Sequence, residues 1–219
     1  MIQLSLLQKI IIWALPVLFA ITVHEVAHGF VASKLGDKTA LILGRLSLNP
    51  LKHIDPLGTV IVPLILLWLG GFIFGWAKPV PINGRNFKHP RRDAALVAAA
   101  GPLANFIMAI LWAAIMKLGL MMMGHGIQTG LPMMLMGQAG IMVNLILMLI
   151  NLIPIPPLDG SRIVASLLPH RWLTFYDRLE PYGFLILLVL IVIGALGFII
   201  GPGFSLCQQL LTWMFQLQR

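Results

Sequence analysis

Charge is scarce in this chain, and negative charge scarcest: 7 Asp and Glu stand against 15 Lys and Arg in 219 residues. Charged residues make up 10% and hydrophobic ones 59%, with a mean hydropathy of +0.94. Those values exclude an ordinary soluble domain and leave a polytopic helical membrane protein. Cysteine is nearly absent. Cys207 stands alone, which excludes an intrachain disulfide and any zinc site built on thiolates. Internal repeats, low-complexity stretches and domain linkers are also missing, so residues 1–219 read as a single integral membrane domain. The net charge of +8 would suggest nucleic acid in a soluble protein. Here Lys and Arg gather in loops, as the positive-inside rule expects of cytoplasmic segments, and no nucleic-acid partner is inferred.

What fills the chain instead is apolar sequence in lengths near the roughly 20 residues that a bilayer span requires. The clear spans cover 10–35, 94–119, 133–153 and 181–202, and 203–219 is either interfacial or spanning. The segment 57–74 is barely long enough to cross, and Pro63 and the Gly70–Gly71 pair interrupt it. Basic residues flank it on both sides: Lys38, Arg45 and Lys52 before, Lys78, Arg85, Lys88, Arg91 and Arg92 after. A full crossing would leave one basic flank outside. The expectation is therefore a re-entrant hairpin, a helix entering from Leu57 and an extended return over 71–83, with a short transmembrane helix as the alternative. The fold class is all-α: about five to six transmembrane helices with a re-entrant helix and extended-strand segment.

The first span carries the chemistry. It contains HEVAH, His24 to His28, within IIWALPVLFAITVHEVAHGFVASKL. On a helix, positions i and i+4 share one face, so both imidazoles can reach one ion. Glu25 sits beside the first ligand, where a general base for a zinc site belongs. Ionisable groups cost several kcal/mol in hydrocarbon unless they are paired or coordinated, so mid-span they mark function. A chance match in a helix bundle is the bland alternative. Lys9 and the apolar run after it resemble a signal peptide, but cleavage there would discard HEVAH, so a retained first span is expected.

A catalytic zinc usually takes three protein ligands and keeps one position open. Among the few acids, Asp37, Asp55 and Asp93 fall in loops, while Asp177 and Glu180 lie in the polar stretch before 181–202. Asp159 follows Pro154, Pro156 and Pro157, which break the helix after 133–153 and turn an acid back toward the bilayer. Asp159 is the favoured third ligand and Glu180 the alternative. Topology agrees. With 57–74 re-entrant, the chain crosses outward and inward again before Asp159, which then arrives on the side of the histidines.

HEVAH, AAAGPLANF and NLIPIPPLDG, in that order and each in an apolar setting, resemble the site-2 protease family of intramembrane zinc metalloproteases, in its short prokaryotic form without PDZ or CBS domains. The resemblance implies one Zn2+ per chain on His24, His28 and Asp159, with Glu25 as catalytic base. It implies that Asn151, eight residues before Asp159, steadies the substrate carbonyl or oxyanion. It places GFIFGWAKPVPIN as a membrane-embedded strand that pairs with unwound substrate, giving Gly75, Trp76, Ala77 and Lys78 as substrate-binding residues, together with Asn105. The function implied is endopeptidase cleavage in or near transmembrane segments of other membrane proteins, as in regulated intramembrane proteolysis. The partners are then a transmembrane substrate and the lipid bilayer, and a homo-oligomer is compatible. The location implied is the prokaryotic cell (inner) membrane. A non-hydrolytic zinc transporter or sensor is the alternative, disfavoured because it has little need of Glu25 and would add acids along a path.

Overall fold

A computed structural model of the chain describes residues 4–53, 55, 58, 61 and 78–217. Its elements are helices: α1 (Leu6–Lys34), the short α2 (Thr39–Ile42), α3 (Pro90–Gly124), α4 (Gly130–Asn151), α5 (Asp159–Leu167), α6 (His170–Asp177), α7 (Glu180–Val192) and α8 (Ala195–Phe215). There is no strand among the described residues, and 78–83 run without helix or sheet pairing. The re-entrant helix and most of its expected return, including Gly75, Trp76 and Ala77, fall at positions outside the described residues.

Four helices, α1, α3, α4 and α8, are long and apolar enough to cross a membrane. Their outer faces stay apolar and uncovered: Leu103, Ile107 and Leu111 on α3, and Phe198, Leu206 and Trp213 on α8 are all exposed. In water such surface would be a liability; facing lipid it costs nothing. The protein is a multi-pass helical membrane protein.

One expected span is drawn differently. Residues 181–202 do not form a single helix but break at Gly194, which takes the left-handed conformation with φ 74°. Glycine adopts it without steric cost, so the chain stops and restarts there. The 13 residues of α7, at about 1.5 Å each, fall short of a hydrocarbon core of about 30 Å. The final span is α8, and it draws in residues of the 203–219 tail.

α1 begins with a capping box. Ser5 Oγ accepts from Gln8 N at 3.3 Å, and Gln8 Oε1 accepts from Ser5 N at 2.9 Å. α3 and α4 pack tightly because both are notched. A Cβ at Gly140 would fall inside the Trp112 ring, and one at Gly137 would meet the Met116 backbone at 2.6 Å. Ala109, Ala113, Ile141, Leu145, Met148 and Leu211 surround that contact as the main core.

At the basic end of the bundle, buried Asp37 gathers the chain after α1. Its carboxylate accepts from Asn83 N at 2.7 Å, Asn86 Nδ2 at 2.8 Å and Thr39 N at 3.1 Å. Burial pushes the Asp37 carboxyl up, but the hydrogen bonds from Thr39, Asn83 and Asn86 outweigh it and hold it below the usual range. Lys78 N donates to His53 O at 2.9 Å, and Arg45 Nη2 donates to Lys78 O at 3.1 Å. Both basic flanks of 54–77 therefore stand at one end of the bundle.

Candidate metal centre

α1 packs against α3 and α4 and presents one face of HEVAH to them. His24 and His28, one turn apart, are both buried, and their Nε2 atoms lie 3.0 Å from each other. The rings stand edge to face at 85°. Each Nδ1 is occupied on the side away from its neighbour. His28 Nδ1 lies 2.7 Å from Val97 O and His24 Nδ1 lies 2.6 Å from Asn105 Oδ1. A carbonyl only accepts, so His28 Nδ1 carries a hydrogen, and in the neutral ring Nε2 then holds the lone pair. Asn105 is turned the same way, because its Nδ2 donates to Ala20 O at 3.2 Å and to Asn144 Oδ1 at 2.9 Å. His24 Nε2 is bare for the same reason.

Asp159 is the first residue of α5. The chain leaves α4 at Asn151, turns through Pro154, Pro156 and Pro157 with a cis bond between the last two, and folds back on itself. Gly160 is where it presses closest. A Cβ there would lie 2.5 Å from the Leu152 carbonyl carbon and 2.6 Å from Ile153 O. With that turn closed, Asp159 Oδ2 stands 3.3 Å from His24 Nε2 and 3.3 Å from His28 Nε2. Oδ2 is buried and has no hydrogen-bond partner.

Three buried atoms that each offer a lone pair thus face one another at 3.0–3.3 Å. With both rings neutral, and neither a metal ion nor a proton between them, the arrangement is repulsive. Four-coordinate zinc, with bonds of about 2.0–2.1 Å, spaces its ligand atoms about 3.3 Å apart. The residues fit that ion. His24, His28 and Asp159 form a metal-capable cluster. Glu180 stands exposed at the start of α7 and takes no part in it. His53 and the loop acid Asp55 stay out of it too: His53 Nε2 bonds Ser47 O at 2.8 Å and Asp55 Oδ1 accepts from Gly58 N at 2.8 Å.

The remaining expected site residues are placed as follows. Glu25 is half-buried and its Oε2 accepts from Val80 N at 2.8 Å. Val80 is seated over Gly29, where a Cβ would meet Val80 Cγ1 at 2.8 Å and Leu46 Cδ2 at 2.5 Å. Asn151 Nδ2 donates to Leu147 O at 3.0 Å, which leaves its second amide hydrogen free. Lys78 is exposed on the segment that reaches Glu25. Asn105, expected among the substrate contacts, is fully buried behind His24 with both ends of its amide engaged by protein.

Two features of the site had no reading in the sequence. One is the Asn105–Asn144 pair. Each asparagine in an apolar span signals a missing partner, but the pairing depends on how α3 crosses α4. The other is Gly101. A Cβ there would lie 2.5 Å from His24 Cε1 and closer still to the His28 imidazole. α3 can lie against the metal face of α1 only because that position has no side chain. Gly101→Ala gains up to about 1 kcal/mol of helix propensity and costs about 1–3 kcal/mol in overpacking. The net is a loss of up to about 2 kcal/mol in stability, and the imidazoles bear the displacement. Zinc affinity, measured by chelator competition in detergent, is expected to fall at least about tenfold, with Tm lowered by no more than several degrees.

Comparison with known proteins gives the family. The chain is 41% identical over 205 residues to YwhC of Bacillus subtilis, covering 91% of this chain and 87% of that protein. It is 31% identical over 185 residues to Rip2 of Mycolicibacterium smegmatis (82% and 66%) and 30% identical over 153 residues to Rip2 of Mycobacterium tuberculosis (70% and 54%). All three carry the name "Putative zinc metalloprotease". The chain thus spans most of the Bacillus protein but 66% or less of the mycobacterial ones. No solved structure matches it significantly. The profile of Peptidase family M50, the site-2 proteases, matches residues 12–133 and 118–194. With its buried His24–His28–Asp159 cluster inside a multi-pass helical bundle, the chain belongs to Peptidase family M50 and is a membrane-embedded zinc metalloprotease.

Proposed function

We propose that the protein is an endopeptidase that cuts other membrane proteins in or near their transmembrane segments, as in regulated intramembrane proteolysis, in the prokaryotic cell membrane. The observation that carries this reading is the depth of the site. The two histidines lie within a 29-residue apolar helix, and the acid is delivered to them by a turn closed on α4. A peptide bond must therefore reach the catalytic groups inside the bundle.

We assign His24, His28 and Asp159 to one zinc ion. When bound there, zinc supplies Lewis acidity, lowering the pKa of a water toward about 7 and polarising a carbonyl. Glu25 is the general base and then the acid to the leaving amine. The Val80 N–H fixes Oε2 and leaves Oε1 to hold the proton in transit. Asn151, with one amide hydrogen uncommitted, donates to the oxyanion, a contribution of about 2.7–4 kcal/mol where measured elsewhere. Asn105 we assign to holding His24 rather than to the substrate, because its amide is spent on His24, Ala20 and Asn144. A substrate helix satisfies its own backbone in lipid and must unwind to expose a scissile bond. Residues 75–78 are proposed to receive the unwound stretch by edge pairing. Pro79 and Pro81 offer carbonyls but no N–H there.

Among the described residues no second cluster of His, Cys, Asp and Glu marks an ion path, so hydrolysis is favoured over transport.

Re-entry of 57–74 belongs to the same proposal. It is supported by the Lys78–His53 bond and by Asn83 meeting Asp37. In a Cys207→Ser background, cysteines at Lys38 and at Arg85 are expected to react with a membrane-impermeant thiol reagent from one and the same side. Labelling from opposite sides would establish a crossing and overturn the re-entrant reading.

A further inference from the structure

Asn144 lies fully buried on α4 and touches neither ligand nor base, yet it ends a chain of hydrogen bonds that begins at His24. His24 Nδ1 meets Asn105 Oδ1 at 2.6 Å, Asn105 Nδ2 donates to Asn144 Oδ1 at 2.9 Å, and Asn144 Nδ2 donates to Gly140 O at 2.9 Å. We propose that Asn144 is a positioning residue that, through Asn105, selects the His24 tautomer able to bind metal.

An asparagine amide has nearly the same shape when its oxygen and nitrogen are exchanged, so only its partners decide which way it faces. A flipped Asn105 would aim its NH2 at His24 Nδ1. The imidazole would then move its hydrogen to Nε2, the atom that faces His28 and Asp159, and lose its lone pair there. Two restraints oppose the flip. One is Ala20 O at 3.2 Å, and the shorter is Asn144 Oδ1 at 2.9 Å. Asn144 holds that orientation because its own nitrogen rests on Gly140 O, a backbone carbonyl that can only accept. The direction of the whole relay is therefore set by backbone, which cannot flip. In a low-dielectric interior each mismatched amide would leave a buried donor or acceptor unpaired, so the relay behaves as one unit. Close approach of the helices is its precondition, and the notch at Gly140 under Trp112 supplies it.

The inference rests on His24 being a metal ligand, and the test separates the two. In metal-free protein with 15N-labelled histidine, the His24 ring nitrogens report the tautomer directly, whether or not zinc binds afterwards. The wild type is expected to show Nδ1–H and bare Nε2. Asn144→Leu, which removes both relay bonds at similar volume, is expected to populate the Nε2–H form and weaken zinc about 10-fold or more, within the range of about 10–100-fold for such outer partners. Asn144→Asp, neutral and protonated in this apolar setting, keeps an oxygen toward Asn105 and a hydroxyl toward Gly140. It is expected to restore both the tautomer and the affinity, which a loss of general packing would not do. Should Asn144→Leu not fold, the Asp variant against Asn144→Ala carries the same comparison. A wild-type tautomer and zinc affinity within twofold in the folded Leu or Ala variant would overturn the proposal, as would an Asp variant no better than Leu or Ala. Full zinc binding by His24→Ala would instead remove His24 from the site and leave the tautomer result standing.

Discussion

Glu25→Gln is expected to bind zinc as tightly as the wild type, to keep its Tm, and to lose peptide cleavage by about 10²–10⁴-fold. The amide matches the carboxylate in shape, and its carbonyl oxygen can still accept from Val80 N, the contact now made by Oε2 at 2.8 Å. What it cannot do is take a proton from water. Fold and metal should therefore survive while the chemistry fails, and a transport function would be largely spared. The check is metal content on the purified variant together with cleavage of single-span membrane substrates in detergent or liposomes. Cleavage near the wild-type rate would sink the mechanism.

Asp159→Ala should do the reverse, removing zinc and with it all activity. Loss of one of three ligands goes well beyond the roughly 10–100-fold penalty of losing an outer partner. Stability gives the control. In metal-free protein Asp159 Oδ2 lies 3.3 Å from both histidine Nε2 atoms, close enough to pair with a proton on either ring, so deleting it removes that pair. The metal-free variant should still fold but melt below the metal-free wild type, so that its loss of zinc is read on folded protein. Glu180→Ala, at an exposed position on α7, should leave zinc unchanged. Zinc retained by Asp159→Ala, or lost from Glu180→Ala, would move the third ligand elsewhere.

Much of this was legible in the chain itself, for local reasons. HEVAH specifies a shared helix face because i and i+4 spacing is a property of the helix alone. Hydropathy marked the apolar spans because burial in lipid is scored residue by residue. Three prolines before Asp159 forced a turn wherever the rest of the molecule lay. The break at Gly194 was not legible, because a glycine inside an apolar run is equally compatible with a continuous membrane helix. Its left-handed φ of 74° depends on where α7 and α8 pack.

By itself, then, the sequence determined a multi-pass helical membrane protein with two histidines and a base on one helix face, and an acid on a proline-broken turn. Tertiary structure alone decided that α3 lies against that face at Gly101, that Val80 N holds Glu25, and that Asn105 and Asn144 answer each other. The physical reason is that periodicity records which residues share a face, whereas the 2.9 Å hydrogen bond between asparagines 39 residues apart in the chain depends on the distance and crossing of α3 and α4, a distance set by the side chains missing at Gly137 and Gly140.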